Sequence, residues 1–224
     1  MSKLFIFGDS ILKGVTYAES VGKYKLCKPD YSKLEEQGYE VINLSKMGAT
    51  ISYCEKILKE EIKEYDESNV VLIEYGGNDC DYRWCEISDS PCTPHSAAIP
   101  HAKFEEVYKG CVEYAKSMGA KVFVSNLVPL QSDRYMDWIS RGLNYDVILN
   151  WLGDKSMLYR WHESYSRIVE KISQKLDAKL IDLRSAFLTT HAFGDLICKD
   201  GIHPTEDGHR LICSTVTDAV LSNA

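Results

Sequence analysis

The 224-residue sequence has no excess of positive charge. Its 26 Lys and Arg stand against 33 Asp and Glu, a formal net charge of -7. A general nucleic-acid binder would carry a basic face, and docking on anionic lipid would need one too, so neither class of partner is expected. Long hydrophobic runs are also missing. The apolar stretch Leu4–Phe7 is only four residues long before it meets Gly8-Asp9, too short for a signal peptide, and no run approaches membrane-spanning length. The chain therefore reads as cytoplasmic, without a membrane anchor. Several motifs are absent as well. No serine lies in G-x-S-x-G, and there is no G-x-x-x-x-G-K-[ST], no G-x-G-x-x-G and no H-E-x-x-H. Those absences leave the α/β-hydrolase elbow, the nucleotide-binding loops and the zincins without support.

Eight cysteines are present, but not in short C-x-x-C pairs. In a chain of this length with no export signal they are read as free thiols. Cys54 and Cys111 fall on apolar helix faces, where a thiol acts as a small hydrophobe. Cys80, Cys85, Cys92 and His95 resemble a metal set only loosely, and the segment is read as a cysteine-rich loop with no metal.

With 45% hydrophobic and 26% charged residues the chain can bury a core, and its length fits one domain spanning 1–224. Short apolar runs at Lys3–Phe7, Glu40–Leu44, Asn69–Tyr75, Lys121–Asn126 and Lys179–Leu183 read as strands. They are apolar throughout rather than alternating, as parallel strands are when helices cover both faces. Between them the apolar positions recur every third or fourth residue, as in Ile51, Cys54, Ile57, Leu58, Ile62 and Tyr65, and in the helix from Phe104 to Met118 that stops at Gly119. A last helix is predicted to start at Thr205, whose hydroxyl caps it, with Glu206 and Asp207 at its positive end and His209 facing solvent. The alternation predicts a three-layer α/β/α sandwich on a five-stranded parallel sheet. Two lid-like segments, about 80–101 and 128–165, break the rhythm and hold all four tryptophans.

In an open parallel sheet ligands bind beyond the carboxyl ends of the strands. There lie Gly8-Asp9-Ser10, the turn containing Gly48, Gly77-Asn78-Asp79, and the turn Asp200-Gly201-Ile202-His203. A serine hydroxyl becomes a useful nucleophile when an imidazole takes its proton, and the imidazole needs a partner that fixes its tautomer. Ser10, His203 and Asp200 are the candidates. The developing oxyanion needs donors, for which the Ser10 and Gly48 backbone N–H groups and the Asn78 amide are available. Singly, Ser10 reads as a helix cap, His203 as a capping histidine and Asn78 as a turn residue; it is their joint placement that points to acyl transfer.

This arrangement resembles the SGNH, or GDSL-type, hydrolase family, which is named for a serine, a glycine, an asparagine and a histidine in four separated blocks. Here they match Ser10, Gly48, Asn78 and His203, in order and over nearly the whole chain. The resemblance implies a flavodoxin-like sandwich, no metal or organic cofactor, and esterase, lipase, thioesterase or carbohydrate-deacetylase activity on a small-molecule ester. A serine esterase for short acyl groups, with acetylated carbohydrates as the expected class, is the leading reading. A lysophospholipase or thioesterase, an acyltransferase on the same triad, and a non-catalytic acyl- or sugar-binding module are the alternatives. Trp84, Tyr135 and Trp138 are the expected pocket walls, although the same aromatics could form the core of a lid. Asp9 and Asp79 are expected to order their turns, and Glu74, a carboxylate inside an apolar strand, has no assigned role.

Overall fold

A computed structural model describes residues 2–223. Its strands are β1 (Ser2–Gly8), β2 (Val15–Ala18), β3 (Lys23–Leu26), β4 (Tyr39–Asn43), β5 (Val70–Glu74), β6 (Lys121–Ser125) and β7 (Lys179–Ile181). Its helices are α1 (Ser10–Lys13), α2 (Ser32–Glu36), α3 (Ile51–Glu61), α4 (Trp84–Asp89), α5 (His101–Ser117), α6 (Ser132–Ile139), α7 (Tyr145–Leu152), α8 (Ser156–Leu176), α9 (Leu183–Leu188) and α10 (Glu206–Leu221), with a 3-10 turn at Phe193–Leu196. Five strands form one parallel sheet in the order β4-β1-β5-β6-β7. The expected α/β/α sandwich is therefore the observed fold.

The continuous apolar character of the strands follows from burial on both faces. Phe5, Phe7, Val71 and Ile73 pack against α3, α5 and α8 through residues such as Cys54, Phe104 and Val169. Leu4, Ile6, Val70 and Leu72 face the other way, against α2, α9 and α10 through Leu34, Phe187 and Val216. Each such side chain contributes about 1.5–3 kcal/mol when fully buried. A third, smaller core lies in the two segments that break the rhythm. Ile87 of α4, Tyr135 and Met136 of α6, Ile148 of α7 and Leu158 of α8 are buried against one another. The two segments thus cover each other instead of ending as separate loops.

The structure adds an element that shapes the site and places two helix residues differently. The added element is an antiparallel hairpin, β2 paired with β3, with Tyr17 opposite Tyr24. Its residues Val15-Thr16-Tyr17-Ala18 and Lys23-Tyr24-Lys25-Leu26 are too few for a clear period. His209 was expected to face solvent, but it is buried, and its Nε2 donates to the Val15 carbonyl at 2.9 Å. The reason is that hairpin: it covers the start of α10. Tyr65 was expected on the apolar face of α3. The helix stops at Glu61, and Tyr65 is exposed. Thr205 does cap α10, its Oγ1 accepting from the Gly208 N–H.

Gly201 allows the turn that carries Asp200 and His203. Its φ is +81°, and a Cβ there would lie 2.4 Å from the Tyr135 backbone nitrogen. Only glycine takes that conformation without strain, and here α6 also removes the space. Gly201→Ala should destabilise the protein by more than about 1 kcal/mol, read as a lower urea midpoint with the slope unchanged. An unchanged midpoint would show that the turn relaxes freely.

Candidate active site

Four chain segments meet at the carboxyl edge of the sheet. At the first, β1 ends and Asp9 caps α1, its Oδ1 accepting from the Ile11 N–H at 2.8 Å. This leaves Ser10 as the first residue of α1, almost buried. The second is the turn after β4, where Gly48 has φ +73° with open space beside it. The third follows β5 and holds Asn78 and Asp79. The fourth precedes α10 and is braced by the Cys198 N–H bond to the His203 carbonyl at 2.7 Å.

The fourth segment folds on its own carboxylate. Asp200 Oδ1 accepts from the backbone N–H groups of Ile202 and His203, both at 3.1 Å, and Oδ2 accepts from His203 Nδ1 at 2.6 Å. With Nδ1 donating, Nε2 carries the free lone pair. It lies 3.0 Å from Ser10 Oγ. Asp200 is fully buried, which alone would raise its carboxyl. The hydrogen bond and charge of His203, with the two backbone N–H groups, outweigh burial and hold it below the usual carboxylate value. Tyr24 of β3, which sequence reasoning missed, covers this pair. Its ring centroid is 4.9 Å from that of His203, and the nearby Asp200 charge adds to burial in raising its phenol.

Asn78 ties the turns together. Its amide nitrogen donates to Asp9 Oδ2 and to the Ala49 carbonyl, each at 3.0 Å. Both N–H groups are therefore engaged, and donation to an oxyanion would replace one of these bonds. Asp79 Oδ1 accepts from the Ile51 N–H at 2.9 Å, so it orders the start of α3 as expected. Glu74 lies beneath this site, taking a hydrogen bond from the Asp9 backbone.

Beside Ser10 is a cavity of about 80 Å³. Trp84 and Tyr135 line it. Both are anchored on one carboxylate: Trp84 Nε1 and the Tyr135 hydroxyl donate to Asp81 Oδ1 at 2.8 and 2.7 Å. Trp138 does not line it. It stacks edge-on against Tyr17 at 4.9 Å, with the Arg141 guanidinium 3.6 Å over its ring. The hairpin, invisible in the sequence pattern, captures this side chain. Trp161 and His162 of α8 take part in the cavity instead. The cysteine-rich segment does not converge: Cys80 is buried, while Cys85 and Cys92 are exposed. Among the described residues no three His, Cys, Asp or Glu group to hold a metal ion, and no helix is long and apolar enough to cross a membrane.

Residues 6–211 match the GDSL-like Lipase/Acylhydrolase family. No curated protein sequence matches significantly. The fold is similar to that of a lipase/acylhydrolase from Enterococcus faecalis, with a TM-score of 0.69 at 18% identity over 100% of this chain and 97% of that one. It is also similar to Axe2, an acetylxylan esterase from Geobacillus stearothermophilus (TM-score 0.63, 20% identity, 98% and 94% covered). A third similar structure is the acetyl xylan esterase AlAXEase (TM-score 0.62, 21% identity, 97% and 99% covered).

The crowding of carboxyls under the site has a measurable consequence. Burial pushes Asp9 up to about 6 and Asp79 up to about 7, from an unfolded value of about 3.9. The folded chain then keeps protons that the unfolded chain releases above about pH 4. Stability from these two groups is full below that pH and is lost as pH rises through 6 to 7. Asp79→Asn keeps the Oδ1 acceptor for Ile51 but cannot ionise. It should raise the urea midpoint relative to the parent more at pH 8 than at pH 5. An equal effect at both would mean that Asp79 does not titrate in this range.

Proposed function

The chain belongs to the GDSL-like Lipase/Acylhydrolase family and is an ester hydrolase, and from that premise we propose that it cleaves short acyl esters through an acyl-enzyme on Ser10. The observation that carries the reading is the unbroken line of bonds from Asp200 through His203 to Ser10. In this mechanism His203 Nε2 takes the Ser10 proton as Oγ attacks the ester carbonyl. Asp200 holds the ring in the tautomer that leaves Nε2 free and balances the imidazolium that forms. The oxyanion is met by the backbone N–H groups of Ser10 and Gly48 and by Asn78. Asn78 gives up its bond to Ala49 or Asp9 to do so. His203 then protonates the departing alcohol, water enters, and the same imidazole takes its proton to release the acid.

The acyl group occupies the cavity walled by Trp84 and Tyr135. At about 80 Å³ it suits a few heavy atoms and not a long chain. An acetylated carbohydrate is the natural class we favour. The similar Axe2 and AlAXEase are acetylxylan esterases, and exposed aromatic faces such as Tyr24 suit a sugar ring. We read residues 1–224 as one catalytic domain in which 80–101 and 128–165 act as its cover.

A fluorophosphonate probe should label the protein, and Ser10→Ala should remove both labelling and hydrolysis. Labelling that survives in the variant would place the nucleophile elsewhere. Among aryl esters of graded length, acetyl and propionyl should be turned over with higher kcat/KM than chains of about twelve carbons. Trp84→Ala should shift this ranking toward longer acyl groups, whereas Trp138→Ala, outside the cavity, should leave it in place. A wild-type preference for long chains, or equal effects of the two substitutions, would contradict the cavity as the acyl site.

A further inference from the structure

The walls of the acyl cavity are not uniformly satisfied. The indole of Trp84 and the hydroxyl of Tyr135 are both bonded to Asp81, and Trp161 Nε1 donates to the Cys80 carbonyl at 2.7 Å. Two polar side chains among the lining residues break this pattern. His162 is 7% exposed and has no partner for Nδ1. Glu74 is 2% exposed and has no partner for Oε2. A buried polar atom left without a partner costs about 1–3 kcal/mol, and both of these belong to side chains that line the cavity.

Resting on the reading that Ser10 is acylated beside this cavity, we propose that, among acyl groups longer than acetyl, the site prefers those bearing an uncharged hydroxyl, with His162 as the residue that recognises it. The apolar part of the lining includes Leu127, Val128, Leu130, Leu158 and Ile202, so a plain alkyl chain fits it in shape, while Asp9 and Asp81 supply carboxyl groups at its edge. Such a chain covers the imidazole and returns no hydrogen bond to it, which forgoes affinity. A hydroxyl both donates and accepts, and can therefore meet either tautomer of a neutral imidazole.

Charge completes the argument. Burial, with the charge of Arg184, pushes His162 down to about 3. Burial and the neighbouring Asp9 charge push Glu74 well above the usual carboxyl value. His162 is thus neutral near pH 7, and Glu74 is biased toward its uncharged form. Arg184 is paired with Glu163 and does not line the cavity, so it offers no free cation to an anionic acyl group. A carboxylate-bearing acyl chain would be buried beside Asp9 and Asp81 with no cation facing it among the described residues and should be rejected.

The test compares three phenyl esters with one leaving group: 3-hydroxybutyrate, butyrate and the succinate monoester. The wild-type protein should favour hydroxybutyrate over butyrate in kcat/KM by about tenfold, the worth of one hydrogen bond to a neutral group, and should turn over succinate least. His162→Leu should bring the hydroxybutyrate-to-butyrate ratio close to one, and His162→Gln, which keeps a donor and an acceptor, should restore it. Urea midpoints of the variants establish that they are folded. A wild-type ratio near one, or a ratio unaffected in His162→Leu, overturns the inference while leaving the esterase reading intact. Failure of the wild type both to hydrolyse any of the esters and to take the fluorophosphonate probe overturns both.

Discussion

The site depends on a single buried carboxylate. Asp200 is shielded from solvent and accepts three hydrogen bonds, two from the backbone of its own turn and one from the imidazole of His203. An isolated carboxylate in that position would be costly to bury. Here the same bonds that compensate its charge also set the direction of the imidazole. Folding energy and orientation are therefore supplied by one contact set, and the tautomer that leaves Nε2 facing Ser10 is the only one compatible with it. Removing Asp200 would free a ring, and it would also unmake the turn.

A similar economy holds on the other side of Ser10. Asn78 joins the β1–α1 turn to the β4–α3 turn, and Asp79 joins its own turn to the start of α3. These bonds run between segments distant in the chain, so the edge of the sheet is fixed as a unit. Above it, Asp81 anchors Trp84 and Tyr135 by their polar tips. The aromatic bodies are left to form walls and to join the third hydrophobic core. Pocket wall and lid core, which looked like alternatives, are two faces of the same side chains.

The parallel sheet and its helices were legible because burial on both faces writes itself as unbroken apolar runs. The residues Ser10, Asn78, Asp200 and His203 were legible because each follows a strand or precedes a helix in a short polar turn. The hairpin was not. Four residues in each strand, half of them exposed, have too little pattern to distinguish from loop. Its consequences were hidden with it: the burial of His209, the capture of Trp138 and the placing of Tyr24 over His203. His162 was hidden for another reason. On α8 it keeps helical spacing with buried Leu158, Tyr165 and Val169, so by sequence it reads as one more core position. Glu74 stood out as a misplaced carboxylate, but only the structure shows the Asp9 backbone that it serves and the cavity that it borders.

The hydrogen bond from Ser10 to His203 spans 193 positions along the chain. During synthesis the serine, its capping aspartate and the first strand emerge early, whereas the imidazole follows only when nearly all of the remaining chain has been made. A growing chain therefore lacks the Ser10–His203 bond until its last helix is reached. The neighbours of β1, β4 and β5, are made long before His203, so the turn that carries the imidazole is the last part of the site to be supplied. On the mechanism proposed above, chemistry and completion of the fold would arrive together, since a partly made chain lacks the base assigned to Ser10.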